Sequence, residues 1–244
     1  MGDLVFWSAG QLGNRTITRI PLPLPLRLGS VNAYLVHTPG GCVLVDTGSG
    51  NARAALEDAL ARGGCTPGRL DLVVLTHGDL DHIGNAAYLR QAYGARLAMH
   101  PADVGMAEQG DMFYNRTSAN RVMRFLAPCL ARLLGFPPTS RFTPDLLLEK
   151  GSDLLAYGLD ARVLALPGHS PGSIGILTAG GDLFCGDLLE NPGTPAPGSI
   201  VDDPAAARAS VERLKDLAIE TVYPGHGSPF AMAQFLALDA PPQP

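Results

Sequence analysis

Leu72-Val73-Val74-Leu75-Thr76-His77-Gly78-Asp79-Leu80-Asp81-His82 is the stretch that decides how this chain is read. Four apolar residues in a row, two of them β-branched, are the mark of a short strand buried on both faces. The run stops at once in a polar segment holding two imidazoles and two carboxylates, and a helical pattern follows to about Tyr93. A strand that ends in a polar turn and passes into a helix is the βα unit of layered α/β proteins. Ligands bind at the carboxyl ends of such strands, because the loops there converge on one edge of the sheet.

Outward from this stretch, strands and helices alternate over short links. Upstream, Asn14–Ile20 and Val31–His37 read as strands. Pro21-Leu22-Pro23-Leu24-Pro25 lies between them, and a proline at every second residue excludes it from a central strand. Cys42–Val45 is a third strand, running into Asp46-Thr47-Gly48, and a helix is expected over Ala52–Arg62 with Asn51 as its N-cap. Downstream, Arg96–Met99 is a short strand. Residues 102–145 are mostly helical in pattern, with Val122, Phe125, Leu126, Cys129, Leu130 and Leu133 recurring every three or four positions, and Pro128 is expected to interrupt or kink that helix. Strands return at Arg162–Leu166, Ser173–Thr178 and Leu183–Cys185; a helix is expected over Pro204–Leu217, a last strand over Thr221–Tyr223, and a frayed tail over Ala240–Pro244. No internal repeat is visible. We expect one domain over residues 1–244, with a helical insert at about 102–145.

The chemistry collects at strand ends. Of the six histidines, His77, His82, His169 and His226 each follow an apolar strand, as do Asp46 and Asp187. His100, before Pro101, reads as a helix cap, and His37 as a surface residue. Neutral imidazole suits zinc, iron and manganese, and carboxylates harden or bridge such a site. A metal bound there lowers the pKa of a coordinated water, giving hydroxide near neutral pH, and a bridging Asp would let two ions share it.

These residues resemble the metallo-β-lactamase superfamily, and within it the glyoxalase-II-like hydrolases. Val45-Asp46-Thr47-Gly48 is similar to the family's early turn, Thr76–His82 to its T-H-x-H-x-D-H loop, and Pro167-Gly168-His169-Ser170-Pro171-Gly172 to its second histidine segment. Gly186-Asp187 and Pro224-Gly225-His226-Gly227 complete the set in the family's order. The resemblance implies an αβ/βα sandwich, two mixed β-sheets flanked by helices, with the active site on one edge. It implies that a first divalent ion takes His77, His169 and Asp187, and a second Asp81, His82, His226 and Asp187, with Asp187 bridging. Asp46, Thr76 and Ser170 would orient these ligands by hydrogen bonds. The departure is Asp79, where the family has histidine. As a direct ligand it adds a negative charge and a harder oxygen, moving the first site from zinc toward iron or manganese.

The resemblance further implies a metal-dependent hydrolase acting through a metal-bound hydroxide on an ester, thioester, amide or phosphoester. Asp81 would steer or accept the proton, and Asp187 would hold the ions. Two rivals stand beside it: redox chemistry at non-haem iron, which Asp79 favours, and a non-catalytic metal-binding scaffold. Met106, Met112, Phe113, Tyr114, Met123 and Phe125 make the insert a candidate lid over an apolar substrate, against a plain packing role. Arg116, Arg121 and Arg124 are candidates for an anionic substrate group, against a solvated helix face.

Composition sets the outer bounds. The 244 residues carry 18 basic against 23 acidic side chains, a formal charge of −5 that argues against a nucleic-acid partner. No apolar run approaches the ~20 residues of a membrane helix, and Met1–Gln11 lacks a secretory pattern. Cys42, Cys65, Cys129 and Cys185 form no C-x-x-C pair and read as reduced, mostly buried thiols of a cytoplasmic protein. Cys185, two residues before Asp187, reads as structural. A small-molecule substrate is expected, and the apolar insert is compatible with a homodimer.

Overall fold

A computed structural model describes residues 16–118 and 120–239. In chain order its elements are β1 (Ile17–Pro23), β2 (Ser30–His37), β3 (Cys42–Val45), α1 (Arg53–Arg62), β4 (Leu70–Val74), α2 (Leu80–Ile83), α3 (Ala86–Tyr93), β5 (Arg96–Met99), α4 (Val104–Gln109), α5 (Arg121–Leu133), β6 (Leu146–Leu147), β7 (Asp153–Leu154), β8 (Leu159–Ala165), β9 (Ile174–Thr178), β10 (Asp182–Gly186), β11 (Leu189–Glu190), β12 (Ala196–Pro197), α6 (Pro204–Lys215), β13 (Thr221–Pro224), β14 (Phe230–Ala231) and α7 (Met232–Asp239). The first two residues of the expected strand at Asn14 and the expected frayed tail at 240–244 lie outside the described residues.

Two six-stranded sheets carry the architecture, in the orders β1-β2-β3-β4-β5-β6 and β14-β13-β10-β9-β8-β7. Both are mixed. In the first, β3 to β6 run parallel and β1 to β3 antiparallel; in the second, only the β10–β13 pair is parallel. The strand alternation explains the layering. Val31, Ala33 and Leu35 of β2 pack with Leu56, Leu60 and Leu89 of α1 and α3, whereas Tyr34 and Val36 pack with Val163, Ile176 and Phe184 of the opposite sheet. A third cluster joins that sheet to α6 and α7 through Leu183, Val222, Val211, Leu214 and Phe235. Helix, sheet, sheet and helix therefore stack as the expected αβ/βα sandwich. The central run Leu72–Leu75 is wholly buried because it faces the partner sheet on one side and the helices on the other.

Several local expectations are corrected. The proline-rich segment is not a bare link, because β1 continues through Pro21 and Pro23, pairing them with Asn32 and Ser30 of β2. It can do so because β1 is the sheet's edge, where a missing N–H leaves no second neighbour unpaired. Asn51 does not cap α1: a short 3-10 turn precedes the helix, and the Asn51 amide instead donates to the Leu133 carbonyl of the insert. Pro128 does not end α5, which runs through it. Of the apolar stripe of that helix, Leu130 packs half-buried against the core and the rest does not. Phe125 is 81% exposed and Val122 65%, with Leu126, Cys129 and Leu133 also exposed, while Ala127, Ala131 and Leu134 face inward. Periodicity locates a stripe; it does not say whether anything covers it. His100 does cap the turn that follows it, accepting from the Ala102 N–H at 3.2 Å. Among the described residues no helix is long and apolar enough to cross a membrane.

Candidate metal centre

Five loops bring the predicted residues to one edge of the sandwich. Asp46 follows β3, Thr76 to His82 follow β4, His169 lies between β8 and β9, Asp187 follows β10 and His226 follows β13. Because β3 is parallel to β4 and β10 to β13, these strand ends fall on the same edge. The approach is close enough to demand glycine. A Cβ on Gly225 would stand 2.1 Å from Asp187 Oδ1 and 2.7 Å from His82 Cε1. Gly168, just before His169, has φ +143°, which an L side chain rarely adopts.

Asp187 sits among all four imidazoles. Its Oδ1 lies 3.3 Å from His82 Nε2, and its Oδ2 lies 3.3 Å from His226 Nε2, 3.9 Å from His169 Nε2 and 4.0 Å from His77 Nε2. Asp79 Oδ2 is 3.0 Å from His169 Nε2 and 3.8 Å from His77 Nε2, and Asp81 Oδ2 is 3.7 Å from His226 Nε2. Three triads are each compact enough to hold an ion: His77, Asp79 and His169; His77, His82 and Asp187; Asp81, His82 and His226.

The remaining ring nitrogens are all engaged, and this aims the ligands. His169 Nδ1 donates to the Ile200 carbonyl at 2.7 Å and His226 Nδ1 to the Ser30 carbonyl at 3.1 Å. His82 Nδ1 donates to Asp46 Oδ2 at 2.9 Å, and His77 Nδ1 lies 2.9 Å from Thr76 Oγ1, which itself donates to Asp46 Oδ2 at 2.8 Å. Each Nδ1 is thus tied to the protein and Nε2 is turned toward the centre, the orientation a metal ligand requires. Among the described residues, His77 Nε2, His82 Nε2 and Asp187 Oδ1 are buried without any hydrogen-bond partner. Orphaned buried acceptors are costly, and three pointing at one place fit a cation between them.

The electrostatics agree. Burial works against a charge on His82, His169 and His226, yet the surrounding carboxylates, chiefly Asp187 for His82 and His226 and Asp79 for His169, push all three above the usual imidazole range. Burial, with His82 and His169 beside it, pushes His77 down. Burial raises Asp81. Asp187 is held well below the carboxylate range despite its burial, first by the His82 charge and then by the His226 hydrogen bond. Carboxylates that favour a proton on three imidazoles favour a divalent cation in its place.

Asp46 and Thr76 reach His82 and His77 through hydrogen bonds. Asp46, at φ +59°, accepts the Thr76 N–H at 2.8 Å in addition to the bonds above, so one carboxylate holds both histidines of the β4 loop. Ser170 acts at a distance, donating at 2.6 Å to Asp103 and touching no ligand. Nothing in the sequence pattern singles out Asp103. Buried, and pushed up by that burial, it also accepts from Gly78 N and Gly172 N, tying the loops of His77 and His169 together. Cys185 is buried against backbone carbonyls, its thiol pushed up to about 12 by burial, as a structural residue should be.

The largest correction concerns Arg116. Its guanidinium is not on a solvated face; the residue is 4% exposed and precedes α5. Nη2 donates to Asp79 Oδ1 at 2.6 Å and lies 3.1 Å from His169 Nε2. Burial opposes ionisation of Asp79, but Arg116, followed by the His169 hydrogen bond, holds that carboxyl well below its usual range. The negative charge expected from replacing histidine by Asp79 is therefore offset inside the protein. Sequence held no signal for this pairing, since the partners are 37 residues apart.

Above the cluster opens a groove of about 520 Å³ walled by Leu24, Leu28, Met112, Leu130, Leu134 and Ile200, with Glu190 at its side and Asp79, Asp81, Asp187, His169 and His226 at its floor. Of the residues expected in a lid, Met112 reaches it, Met106 and Phe113 are buried, and Phe125 faces solvent. A second cavity, about 380 Å³, shares His169 and Asp187 and runs past Val201, Ala207 and Val211 to Arg208 and Glu212.

Similarity to known proteins accords with this geometry. The chain is 32% identical over 212 residues to metallo-beta-lactamase domain-containing protein 1 of Rattus norvegicus and 34% to that of Homo sapiens, covering 84% of this chain and 69% and 65% of those proteins. It is 32% identical to a hydroxyacylglutathione hydrolase of Acidiphilium cryptum, over 90% of this chain and 72% of that one. Among solved structures, a metallo-beta-lactamase family protein of Thermus thermophilus superposes with a TM-score of 0.68 at 30% identity, covering 91% of this chain and 77% of that one. TTHA1623, solved in a di-iron-bound form, gives 0.67 at 32% identity, covering 88% and 96%. Residues 26–226, which hold every strand-end histidine and carboxylate described above, match the model of the metallo-beta-lactamase superfamily, and the chain belongs to that superfamily.

Proposed function

We propose that this protein is a metal-dependent hydrolase of esters or thioesters with an apolar acyl group. The observation that carries the reading is the convergence of four Nε2 atoms and the Asp187 carboxylate, with His77 Nε2, His82 Nε2 and Asp187 Oδ1 buried and unpartnered among the described residues, at the floor of an apolar groove. His77, Asp79, His169 and Asp187 would hold an ion on one side, and Asp81, His82, His226 and Asp187 an ion on the other. Such ions supply a nucleophilic water near neutral pH and polarise the scissile carbonyl.

The chain's own residues do the rest. Asp46 fixes the two histidines of the β4 loop, so the centre is organised before substrate arrives. Asp81, raised by burial, is placed to take and return a proton beside His226. Leu24, Leu28, Met112, Leu130, Leu134 and Ile200 exclude water and receive the acyl group. Among the described residues no Lys or Arg lines this groove, and Arg116 is committed to Asp79, so an anionic acyl group finds no cation there. The hydroxyacylglutathione hydrolase relative supports a thioester carbonyl as the reacting group.

The test is a panel of acyl thioesters and p-nitrophenyl esters graded from lactoyl to octanoyl, assayed with chelated and with zinc-, iron- or manganese-loaded protein. Metal-dependent turnover rising with acyl length supports the proposal. Absence of turnover with every loaded form, or a preference for acidic acyl groups, overturns it.

A second reading is redox chemistry at iron, favoured by the di-iron-bound relative. Oxygen consumption with glutathione persulfide by iron-loaded protein tests it. Arg116 weakens the case, because the extra charge of Asp79 is already paired.

A further inference from the structure

We propose that Arg116 is an internal cation of the centre, making the two halves unequal: the chain loads one ion tightly at Asp81, His82, His226 and Asp187, and a second only weakly at His77, His169 and Asp79. The inference rests on the metal-site reading above.

The geometry is specific. His169 donates through Nδ1 to the Ile200 carbonyl, so its Nε2 offers one lone pair, and Arg116 Nη2 already lies 3.1 Å from it. The same Nη2 holds Asp79 Oδ1 at 2.6 Å, while Oδ2 of that carboxylate is the one facing His169 and His77. An ion bonded to His169 Nε2 would take the lone pair that the guanidinium now approaches. With a Zn–N bond of about 2.1 Å, it would also lie within about 5 Å of Nη2. At that separation in a buried site, the repulsion between a guanidinium and a divalent ion is poorly screened.

The backbone at Arg116 is anchored as well. Thr117 and Ser118, next in the chain, donate their backbone N–H groups to the buried Asp202 carboxylate at 3.1 and 2.7 Å. The Arg116 carbonyl accepts from Arg124 Nη2 at 3.2 Å. Arg116 Nε, by contrast, is buried with no acceptor, so the side chain is held by its contacts to Asp79 and His169 rather than by a separate pocket. Beside Asp81 and His226 no cation pairs with a ligand among the described residues, apart from the histidines themselves.

The test is titration of metal-free protein with Co(II), followed by ligand-field absorption and by calorimetry. In the wild type we expect one tight equivalent and a second weaker by at least about tenfold. Arg116→Gln should tighten the second step by about tenfold or more and leave the first unchanged, and Arg116→Lys, which keeps the charge, should keep the gap. Should Arg116→Gln fold poorly, Asp79→His/Arg116→Gln exchanges one neutral set for another and should bind two equivalents of similar strength. Two equally tight equivalents in the wild type, or a gap that survives loss of the guanidinium, overturn this inference alone. A protein that takes up no ion overturns it together with the hydrolase reading.

Discussion

On one side of Asp187, the groups facing the centre are His82, Asp81 and His226, and among the described residues no Lys or Arg pairs with the carboxylates there. On the other side, His77, Asp79 and His169 share their space with a buried guanidinium. Both sides are built from loops at the same edge of the sandwich, and both turn Nε2 atoms inward. They differ in how charge is balanced. Where the Asp81 side leaves its negative charge for a cation from solution, the Asp79 side brings part of its cation along in the chain. A substitution at a ligand position is thus not read by its own chemistry alone, since a second residue can cancel the charge it introduces.

Asp187→Ala reaches both sides and has the largest expected effect. We expect kcat/KM to fall by about a thousandfold or more, with bound metal lost and the near-ultraviolet circular dichroism unchanged. Activity within about tenfold of wild type would mean that the two sides do not share this carboxylate.

Truncating one carboxylate on each side sharpens the contrast. Asp79→Ala leaves the Arg116 guanidinium buried without its partner, and breaking such a pair costs about 3–5 kcal/mol. In a chain of this size that corresponds to a fall in Tm of roughly 6–20 °C in metal-free protein. Asp81→Ala removes a carboxyl whose charge burial already disfavours and should cost distinctly less. Equal losses in thermal melts would abolish the distinction between the sides.

Asp202→Asn tests the clamp that holds Arg116. The carboxylate accepts from Thr117 N and Ser118 N and, despite some burial, is held below its ordinary range by these bonds. Hydrogen bonds to a charged group are worth about 1.5–3 kcal/mol, so we expect a loss of that order in urea unfolding at pH 7. A depressed folded pKa stabilises above the unfolded value, about 3.9, and that contribution fades as pH falls through the folded pKa. The difference between wild type and variant should therefore shrink below about pH 4; a difference constant from about pH 7 to pH 3 would contradict the assignment.

The smallest effect belongs to the exposed face of α5. Phe125→Ser touches no core cluster and should change stability by no more than about 0.5 kcal/mol. A larger loss, or one that depends on protein concentration, would show that the stripe is covered in solution.

Much of this could be read along the chain. The apolar run Leu72–Leu75 followed by His77-Gly78-Asp79-Leu80-Asp81-His82 located a buried strand and the loop that carries candidate ligands to the cluster. His169, Asp187 and His226 were found in the same way, because a buried strand must end somewhere and polar residues at that end have few structural reasons to be there. What escaped has a common cause. Pro21 and Pro23 pair within β1 because that strand is an edge, and Asn51 serves the insert rather than α1. Of the stripe from Val122 to Leu133, Val122, Phe125, Leu126, Cys129 and Leu133 face solvent and Leu130 packs inward. Each outcome depends on a neighbour distant in sequence.

Local pattern was enough to name the strands, the histidines and the carboxylates, because strand burial and ligand type are properties of short segments. Folding alone decided what those ligands stand beside: that Asp103 ties two loops together, that Asp46 orients two imidazoles, and that Arg116 lies against Asp79 and His169. Such pairings arise between segments that no periodicity links, and their energies depend on burial and distance, which only the packed chain defines.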